Sequence, residues 1–253
     1  MWKGWYQYLA RKYDDSNWTF MNYGYIDSDP NAPEIILSPD EEQERYSAQL
    51  YHRVASAVNI EGKDVLEVGS GRGGGSVYIA KQLKPASMRG VDIAANSVNL
   101  SNSRHKFPNL SYSVGDAEDL PFEDDKFFAV VNVESSHGYG SMLKFLKEVR
   151  RVLEPGGYFL FADLRPADDM VLLKELFKKS GMDLKEEEDI APNVLKSLEA
   201  DNERKLNLIG NMIPKFLSKS FTDFAGIRGS KIWQGLESGA IGYLRVVLQK
   251  PNN

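Results

Sequence analysis

Val65-Leu66-Glu67-Val68-Gly69-Ser70-Gly71-Arg72-Gly73-Gly74-Gly75 is the stretch whose reading decides the fold. The first four residues read as a short buried strand, the glycines as a turn, and Ser76 to Leu83 as a helix. A glycine-rich turn between strand and helix lets the backbone approach a ligand closely and points free N–H groups at it. Gly69, Gly71 and Gly74 also satisfy the dinucleotide pattern GxGxxG. The turn alone therefore leaves open a dinucleotide, another cofactor, or a tight turn with no ligand.

The same rhythm repeats downstream. A second strand ends at Val91-Asp92 and is followed by a helix near residues 95–105. Leu110–Val114 is a third strand and Phe127–Val133 a fourth. Met142, Leu146, Val149 and Leu153 recur at helical spacing until Pro155-Gly156-Gly157 stops them, and Tyr158–Ala162 is the fifth strand. Strands alternating with helices of this length imply a parallel sheet covered on both faces, an α/β Rossmann-like fold. Beyond Pro166 the spacing predicts a helix over 169–179, a strand over 182–186, a helix-prone polar stretch over 191–218, and a last strand over 242–248.

Upstream, Ser38 reads as an N-cap with Pro39 in the first helical position and Asp40, Glu41 and Glu42 in the first turn, opening a helix that runs to about Val58. Before it lie nine of the 28 aromatic residues, within the first 25 positions. A solvated tail would not carry so much apolar surface, so this segment is expected to cover something. The expected layout is one domain: a helical cap over 1–58, a cofactor-binding core over 59–166, and a C-terminal part over 167–253 with a helical lid at 191–218.

Composition narrows the function. With 253 residues, 42% hydrophobic and 26% charged, the chain sits among globular proteins. A formal charge of -5 gives no electrostatic grip on a polyanion, so nucleic acid is excluded as the main partner. The absence of cysteine removes disulfides, thiolate nucleophiles and Cys-ligated metals, and three scattered histidines do not read as a metal cluster. No apolar run approaches a membrane span, and the start of the chain lacks a signal-peptide core. A cytoplasmic protein is expected.

Glu67 separates the ligands. A carboxylate two residues before the first glycine would repel a pyrophosphate, whereas a cofactor with a sulfonium and an ammonium group has the opposite preference. Asp92, closing the second strand, can accept from both ribose hydroxyls. Asp116, after the third strand, could accept an adenine amino group. Each acid alone also reads as a solvated turn residue; three at successive strand ends weaken that reading.

These residues resemble a family. Val65-Leu66-Glu67-Val68-Gly69-Ser70-Gly71, Gly115-Asp116-Ala117-Glu118-Asp119-Leu120-Pro121-Phe122 and Val152-Leu153-Glu154-Pro155-Gly156-Gly157 look like motifs of class I S-adenosylmethionine-dependent methyltransferases. Phe20-Met21-Asn22-Tyr23-Gly24-Tyr25, Leu50-Tyr51-His52-Arg53, Asn132-Val133-Glu134-Ser135-Ser136-His137 and Ala162-Asp163-Leu164-Arg165-Pro166 are similar to the phthiotriol dimycocerosate and fatty-acid O-methyltransferase branch. The resemblance implies a seven-stranded sheet with the cofactor at the strand C-termini. It also implies that Glu67, Gly69, Ser70 and Gly71 serve the methionine end, Asp92 and Ile93 the ribose and adenine, and Asp116 and Ala117 the adenine edge, with Asn132 in the cofactor set.

Methyl transfer from a sulfonium needs alignment and exclusion of water, plus a base where the acceptor must lose a proton. His137, just beyond the fourth strand, is the candidate base; its ordinary pKa near 6.5 suits the work. It reads alternatively as a turn anchor. Glu134, three residues earlier, could orient the ring or hold the cofactor's amino group. Glu-x-x-His here also resembles sterol and tocopherol methyltransferases, which methylate carbon, so O- and C-methylation both stay open. Trp18, Tyr23, Tyr25 and Phe216 are the candidate contacts to an apolar small-molecule acceptor such as a lipid or polyketide; the same aromatic surface would also serve an ordinary core or a homodimer contact. A nicotinamide-dependent reductase and a cofactor-binding module without methyl transfer are the competing functions.

Overall fold

Seven strands share one hydrogen-bonded sheet in a computed structural model that describes residues 19–212 and 218–252. The strands are β1 (Asp64–Val68), β2 (Ser87–Asp92), β3 (Leu110–Val114), β4 (Phe127–Val133), β5 (Leu153–Pro166), β6 (Asp183–Asp189) and β7 (Ile241–Gln249). Their spatial order is β3-β2-β1-β4-β5-β7-β6. The first five strands run parallel, and β7 enters antiparallel between β5 and β6. The chain reverses direction across the sheet between β1 and β4, and the open crevice of such a sheet lies beyond the C-terminal ends of these strands.

Alternation along the central strands divides the core in two. Val65, Val131, Val133 and Leu160 pack on one face, with Leu50, Val54, Ile79, Val194 and Trp233; Leu66, Val130, Phe159 and Phe161 pack on the other, with Phe145, Leu146, Val149 and Phe177. Burial on both sides explains why β4 reads as a continuous apolar run. At the edge, β6 is almost wholly exposed and carries five acids in seven residues, a composition that discourages pairing with another sheet.

The helices are α1 (Arg45–Ala55), α2 (Gly74–Tyr78, continued by a π-helical turn over Ile79–Leu83), α3 (Ala95–Arg104), α4 (Met142–Val152), α5 (Ala167–Lys179), α6 (Ala191–Ala200), α7 (Asn202–Met212), α8 (Ser218–Phe224) and α9 (Lys231–Ser238). Several elements depart from the sequence reading, three of them with a visible cause. Ser38 does not cap α1: its N–H and Oγ donate to Glu41, closing a separate turn, and the helix begins seven residues later. The interruption falls at Glu44, whose carboxylate is committed to Thr19 and Phe20. Strand β5 continues past Ala162 because β7 pairs with it from Tyr158 to Pro166. Helix α9 was not anticipated; Ser230 caps it by accepting from the Trp233 N–H at 3.2 Å, and Trp233 and Leu236 anchor it. Among the described residues no helix is long and apolar enough to cross a membrane.

Candidate active site

Backbone conformation builds the first wall. Gly69, Gly71 and Gly73 have φ of +80°, +52° and +87°, the left-handed region that glycine enters without strain. The Gly69 and Ser70 N–H groups donate to Val91 O at 2.8 and 3.1 Å, and the Gly71 N–H to Asp92 Oδ2 at 2.9 Å, so the turn is tied to the end of β2. The remaining glycines make room for protein. A Cβ at Gly74 would lie 2.7 Å from Thr19 O, and one at Gly75 only 2.0 Å from the Tyr51 ring. The N-terminus of α2, where a dinucleotide would seat its pyrophosphate, is therefore occupied by the chain itself. At Gly71, by contrast, a Cβ would meet nothing closer than Met21 Sδ at 3.7 Å, because the turn faces a cavity of about 280 Å³.

Asp92, Ile93, Asp116 and Ala117 line this cavity with Gly69, Ser70 and Gly71. Asp92 accepts from the Gly71 and Ala94 N–H groups, one to each oxygen, which leaves lone pairs on both. Burial raises its pKa, and those two N–H bonds counteract the shift. Ile93 is half-exposed and offers a flat apolar wall, and Asp116 accepts from the Glu118 N–H to shape the turn beneath.

Two residues expected at the cofactor stand one layer behind. Glu67 is fully buried, outside the cavity lining, with its oxygens taken by the Tyr51 hydroxyl at 2.6 Å and by Ser76 Oγ. Burial pushes its carboxyl up to about 7, against the pull of the two hydroxyls. Tyr51, which lines the cavity, is the group between Glu67 and any ligand. Asn132 is also fully buried. Its Nδ2 donates to Val68 O at 2.9 Å, within reach of Ser135 Oγ and Tyr139 Oη at 2.8 and 3.0 Å, and so pins the β1 and β4 ends together.

Beyond β4 lies the chemically distinctive group. His137 Nδ1 is 2.8 Å from Asp163 Oδ1, and its backbone N–H donates to Asp163 Oδ2 at 3.0 Å. Asp163 has no exposed surface and also accepts from Ser136 Oγ at 2.7 Å, with Arg165 Nη1 3.1 Å away. Burial favours its neutral form, but His137, Arg165 and Ser136 outweigh that and hold the carboxyl well below the usual range. Burial would also lower the His137 pKa; the Asp163 charge and hydrogen bond reverse this and raise it. The ring lines the cavity, and with Nδ1 committed to Asp163, Nε2 is its remaining acceptor.

Glu134 does not orient this ring. Its Oε1 accepts instead from the Tyr23 N–H at 2.8 Å and the Tyr243 hydroxyl at 2.6 Å. Burial pushes its carboxyl up to about 7, opposed by those two donors. Its φ of +47° is unusual for a residue with a side chain, and the Glu134 N–H to Ala162 O bond at 2.9 Å helps hold it. Asp163 is thus the carboxylate that meets the ring, a partner that the sequence reading missed. The missed signal lay in Ala162-Asp163, an acid that interrupts the apolar run of the strand adjacent to β4.

The chain from Thr19 to Tyr25 straps across the cavity. Glu44 accepts from the Thr19 and Phe20 N–H groups at 3.0 and 3.2 Å, and Glu134 holds Tyr23. Phe20, Met21 and Asn22 line the main cavity and also wall a second one of about 90 Å³, bounded by Tyr23 and α7. Of the expected acceptor contacts, Tyr23 lies in this second cavity, whereas Tyr25 is buried in the core, away from both. Trp18 and Phe216 lie outside the described residues. Helix α6 packs into the core through Val194 and Leu198, both fully buried, so among the described residues of the stretch expected as a lid it is α7 that borders a cavity.

The residues present fit S-adenosylmethionine. Ser70 Oγ is buried at the cavity wall with no hydrogen-bond partner, Gly71 leaves space that a side chain would fill, and Asp92 retains acceptor capacity. Among the described residues no cluster of three or more His, Asp or Glu is arranged to hold a metal. A family model described as "Methyltransferase domain" matches residues 66–161. The phthiotriol/phenolphthiotriol dimycocerosates methyltransferase of Mycobacterium leprae (strain TN) is 35% identical over 96% of this chain and 89% of its own. The fatty-acid O-methyltransferase of Mycolicibacterium smegmatis is 36% identical over 97% of this chain and 88% of its own. Geranyl diphosphate C-methyltransferase from Streptomyces coelicolor A3(2), solved with Mg2+, geranyl diphosphate and S-adenosyl-L-homocysteine, matches with a TM-score of 0.68 over 98% of this chain and 97% of that one; at 15% identity the likeness is one of fold. The chain belongs to the class I S-adenosylmethionine-dependent methyltransferases, in the branch of the phthiotriol dimycocerosate and fatty-acid O-methyltransferases, and is an enzyme that uses S-adenosylmethionine.

Proposed function

We propose that this enzyme methylates an oxygen, specifically a hydroxyl, of an apolar small molecule of the lipid or polyketide kind. The observation that carries the reading is the His137–Asp163 pair at the cavity wall. When bound, S-adenosylmethionine supplies an electrophilic methyl group on a sulfonium and becomes S-adenosylhomocysteine. Asp163 holds the imidazole in the tautomer with hydrogen on Nδ1, so that Nε2 accepts the acceptor's hydroxyl proton as the oxygen is methylated. The buried Asp163 charge stabilises the imidazolium that results. Gly69, Ser70, Gly71 and Asp92 orient the cofactor, Ile93, Asp116 and Ala117 face its adenosyl end, and the Thr19–Tyr25 strap excludes water. The apolar acceptor is supported by the Phe20, Met21 and Val133 walls and by the lipid substrates that the two curated relatives are named for.

Incubation with methyl-labelled cofactor and a panel of long-chain alcohols and hydroxylated polyketides, read by NMR of the product, tests the reading. The expected product carries an O-methyl group, and His137→Ala slows its formation by about 10²–10⁴-fold. A C-methyl product, or full kcat in His137→Ala on an alcohol, would overturn it.

A further inference from the structure

The second cavity contains a cation whose ammonium, among the described residues, donates to no carboxylate, and whose one ion pair, to Asp201, is long. Lys205, on α7, has a side chain only 13% exposed, and it lines this cavity with the apolar Leu208, Ile209, Phe221 and Phe224 and with the charged Arg204 and Glu44. Its Nζ lies 3.8 Å from Asp201 Oδ2, beyond hydrogen-bonding distance, and 5.9 Å from the centre of the Tyr23 ring. The neighbouring carboxylates are committed elsewhere. Arg204 takes both oxygens of Asp201 at 2.6 Å. Glu44 holds Thr19 and Phe20, and Glu134 holds Tyr23 and Tyr243. An ammonium placed among apolar side chains without an acceptor is costly unless an anion joins it. Burial accordingly lowers its pKa to about 8, partly offset by Asp201.

We propose that Lys205 is the acceptor-recognising residue, holding a carboxylate carried by the apolar acceptor in the second cavity. This rests on the reading of the neighbouring main cavity as the seat of methyl transfer to an apolar molecule. The two cavities share Phe20, Met21 and Asn22 as a common wall, so a molecule seated at Lys205 lies against the strap that covers the main cavity. The volume of about 90 Å³ admits a carboxylate head and the first carbons of a chain, on the scale of roughly 30 Å³ per water. The chemistry selected is that of an amphiphilic acid: one charge for the ammonium, and apolar surface for Leu208, Ile209 and Phe221.

The test is calorimetric titration of the full chain with decanoate and with decanol, in saturating S-adenosylhomocysteine. Wild-type protein is expected to bind decanoate at least about tenfold more tightly than decanol. Lys205→Met, which keeps the apolar stem, should lose about tenfold for decanoate and leave decanol and S-adenosylhomocysteine unchanged. Equal affinity for the two probes in wild type, binding of neither, or unchanged decanoate binding in Lys205→Met overturns the proposal. Should the variant not fold, wild type decides alone: between about pH 8 and about pH 10 decanoate affinity falls as the ammonium loses its proton, and decanol affinity does not. The groups that face the ammonium are Asp201, Arg204, Glu44, the Tyr23 ring and Glu134, whose carboxyl lies near 7 and below this window. A pH-independent decanoate affinity there overturns the proposal. Failure to bind S-adenosylhomocysteine strikes the methyltransferase reading instead, and decanoate titrated without it still decides for Lys205.

Discussion

The cofactor half of the cavity and the acceptor half are built by different means. On the cofactor half, the Gly69–Gly75 turn and the ends of β1, β2 and β3 are shaped by backbone bonds and by the left-handed conformations of three glycines. On the acceptor half, the strap from Thr19 to Tyr25 is held by carboxylates from distant parts of the chain: Glu44 lies 25 residues from Thr19, and Glu134 lies 111 residues from Tyr23. The first half relies on steric fit and the second on charge. They should therefore fail differently, one to added volume and the other to lost carboxylates or a change of pH.

The largest effect is expected from volume on the cofactor half. Gly69→Ala places a Cβ about where the Ser135 side chain stands, 2.3 Å from its Oγ, at a φ of +80°. Affinity for S-adenosylhomocysteine should fall by about 100-fold or more, close to 3 kcal/mol, as measured by calorimetry. An affinity within a few-fold of wild type would mean that the turn yields, and the contrast between the halves would dissolve.

Next in size is the effect of Asp163→Asn on catalysis. Without the anion behind it, His137 loses both its tautomer and the stabilisation of its charged form, so methyl transfer to a hydroxyl acceptor should slow by about 10²-fold. Cofactor affinity should stay put, because Asp163 lies outside the cavity lining. The pH profile sharpens the test. In wild type kcat/KM rises with pH through the raised His137 value, above 6.5; in the variant the rise moves to lower pH. An unmoved inflection would assign the titration to another group.

The same difference between the halves decides what could be read from the sequence. The turn, Asp92, Ile93, Asp116 and Ala117 were legible because each stands at a fixed offset from a strand end, and β3 and β4 match their expected ranges. Glu67 was legible as an acid near the turn but not as a buried one, since its position behind Tyr51 depends on where α1 packs. Asp163 and the carboxylates that fasten the strap were not legible in role, because each meets a partner on a remote element. Tyr25 misled for the same reason: an aromatic residue in the strap enters the core two residues after one that borders a cavity.

Carboxylates held behind both halves also predict how stability varies with pH. Glu67 and Glu134 have folded-state values near 7 against an ordinary 4.5. The folded protein then holds these protons more tightly than the unfolded chain does, so the stabilisation is complete below about pH 4.5 and is lost as pH rises through about 7. His137, also raised, acts in the same direction at slightly higher pH, whereas Asp163 contributes in the opposite sense only at acid pH, below its ordinary value. Thermal unfolding of the ligand-free protein should therefore show Tm falling between about pH 5 and about pH 8, and Glu67→Gln should flatten the slope by on the order of 1–3 kcal/mol. A Tm that rises across this window, or a variant with the wild-type slope, would show that Glu67 is not held in its protonated form.

The smallest expected effect has opposite signs for folding and for binding. Ser70 Oγ is buried at the wall of the main cavity and has no partner, although a buried hydroxyl ordinarily finds one. In the ligand-free protein that hydroxyl is a cost, so Ser70→Ala should leave Tm unchanged or slightly higher. If the hydroxyl is kept for the cofactor, the same change should weaken S-adenosylhomocysteine binding by about fivefold, near 1 kcal/mol. Glu44→Gln, on the acceptor side, makes the contrast: it weakens the hold on Thr19 and Phe20, so it should lower Tm while leaving cofactor affinity within about twofold. If Ser70→Ala instead lowers Tm and binding together, its hydroxyl serves the fold rather than the ligand, and fit on the cofactor side comes from the glycines and Asp92 alone.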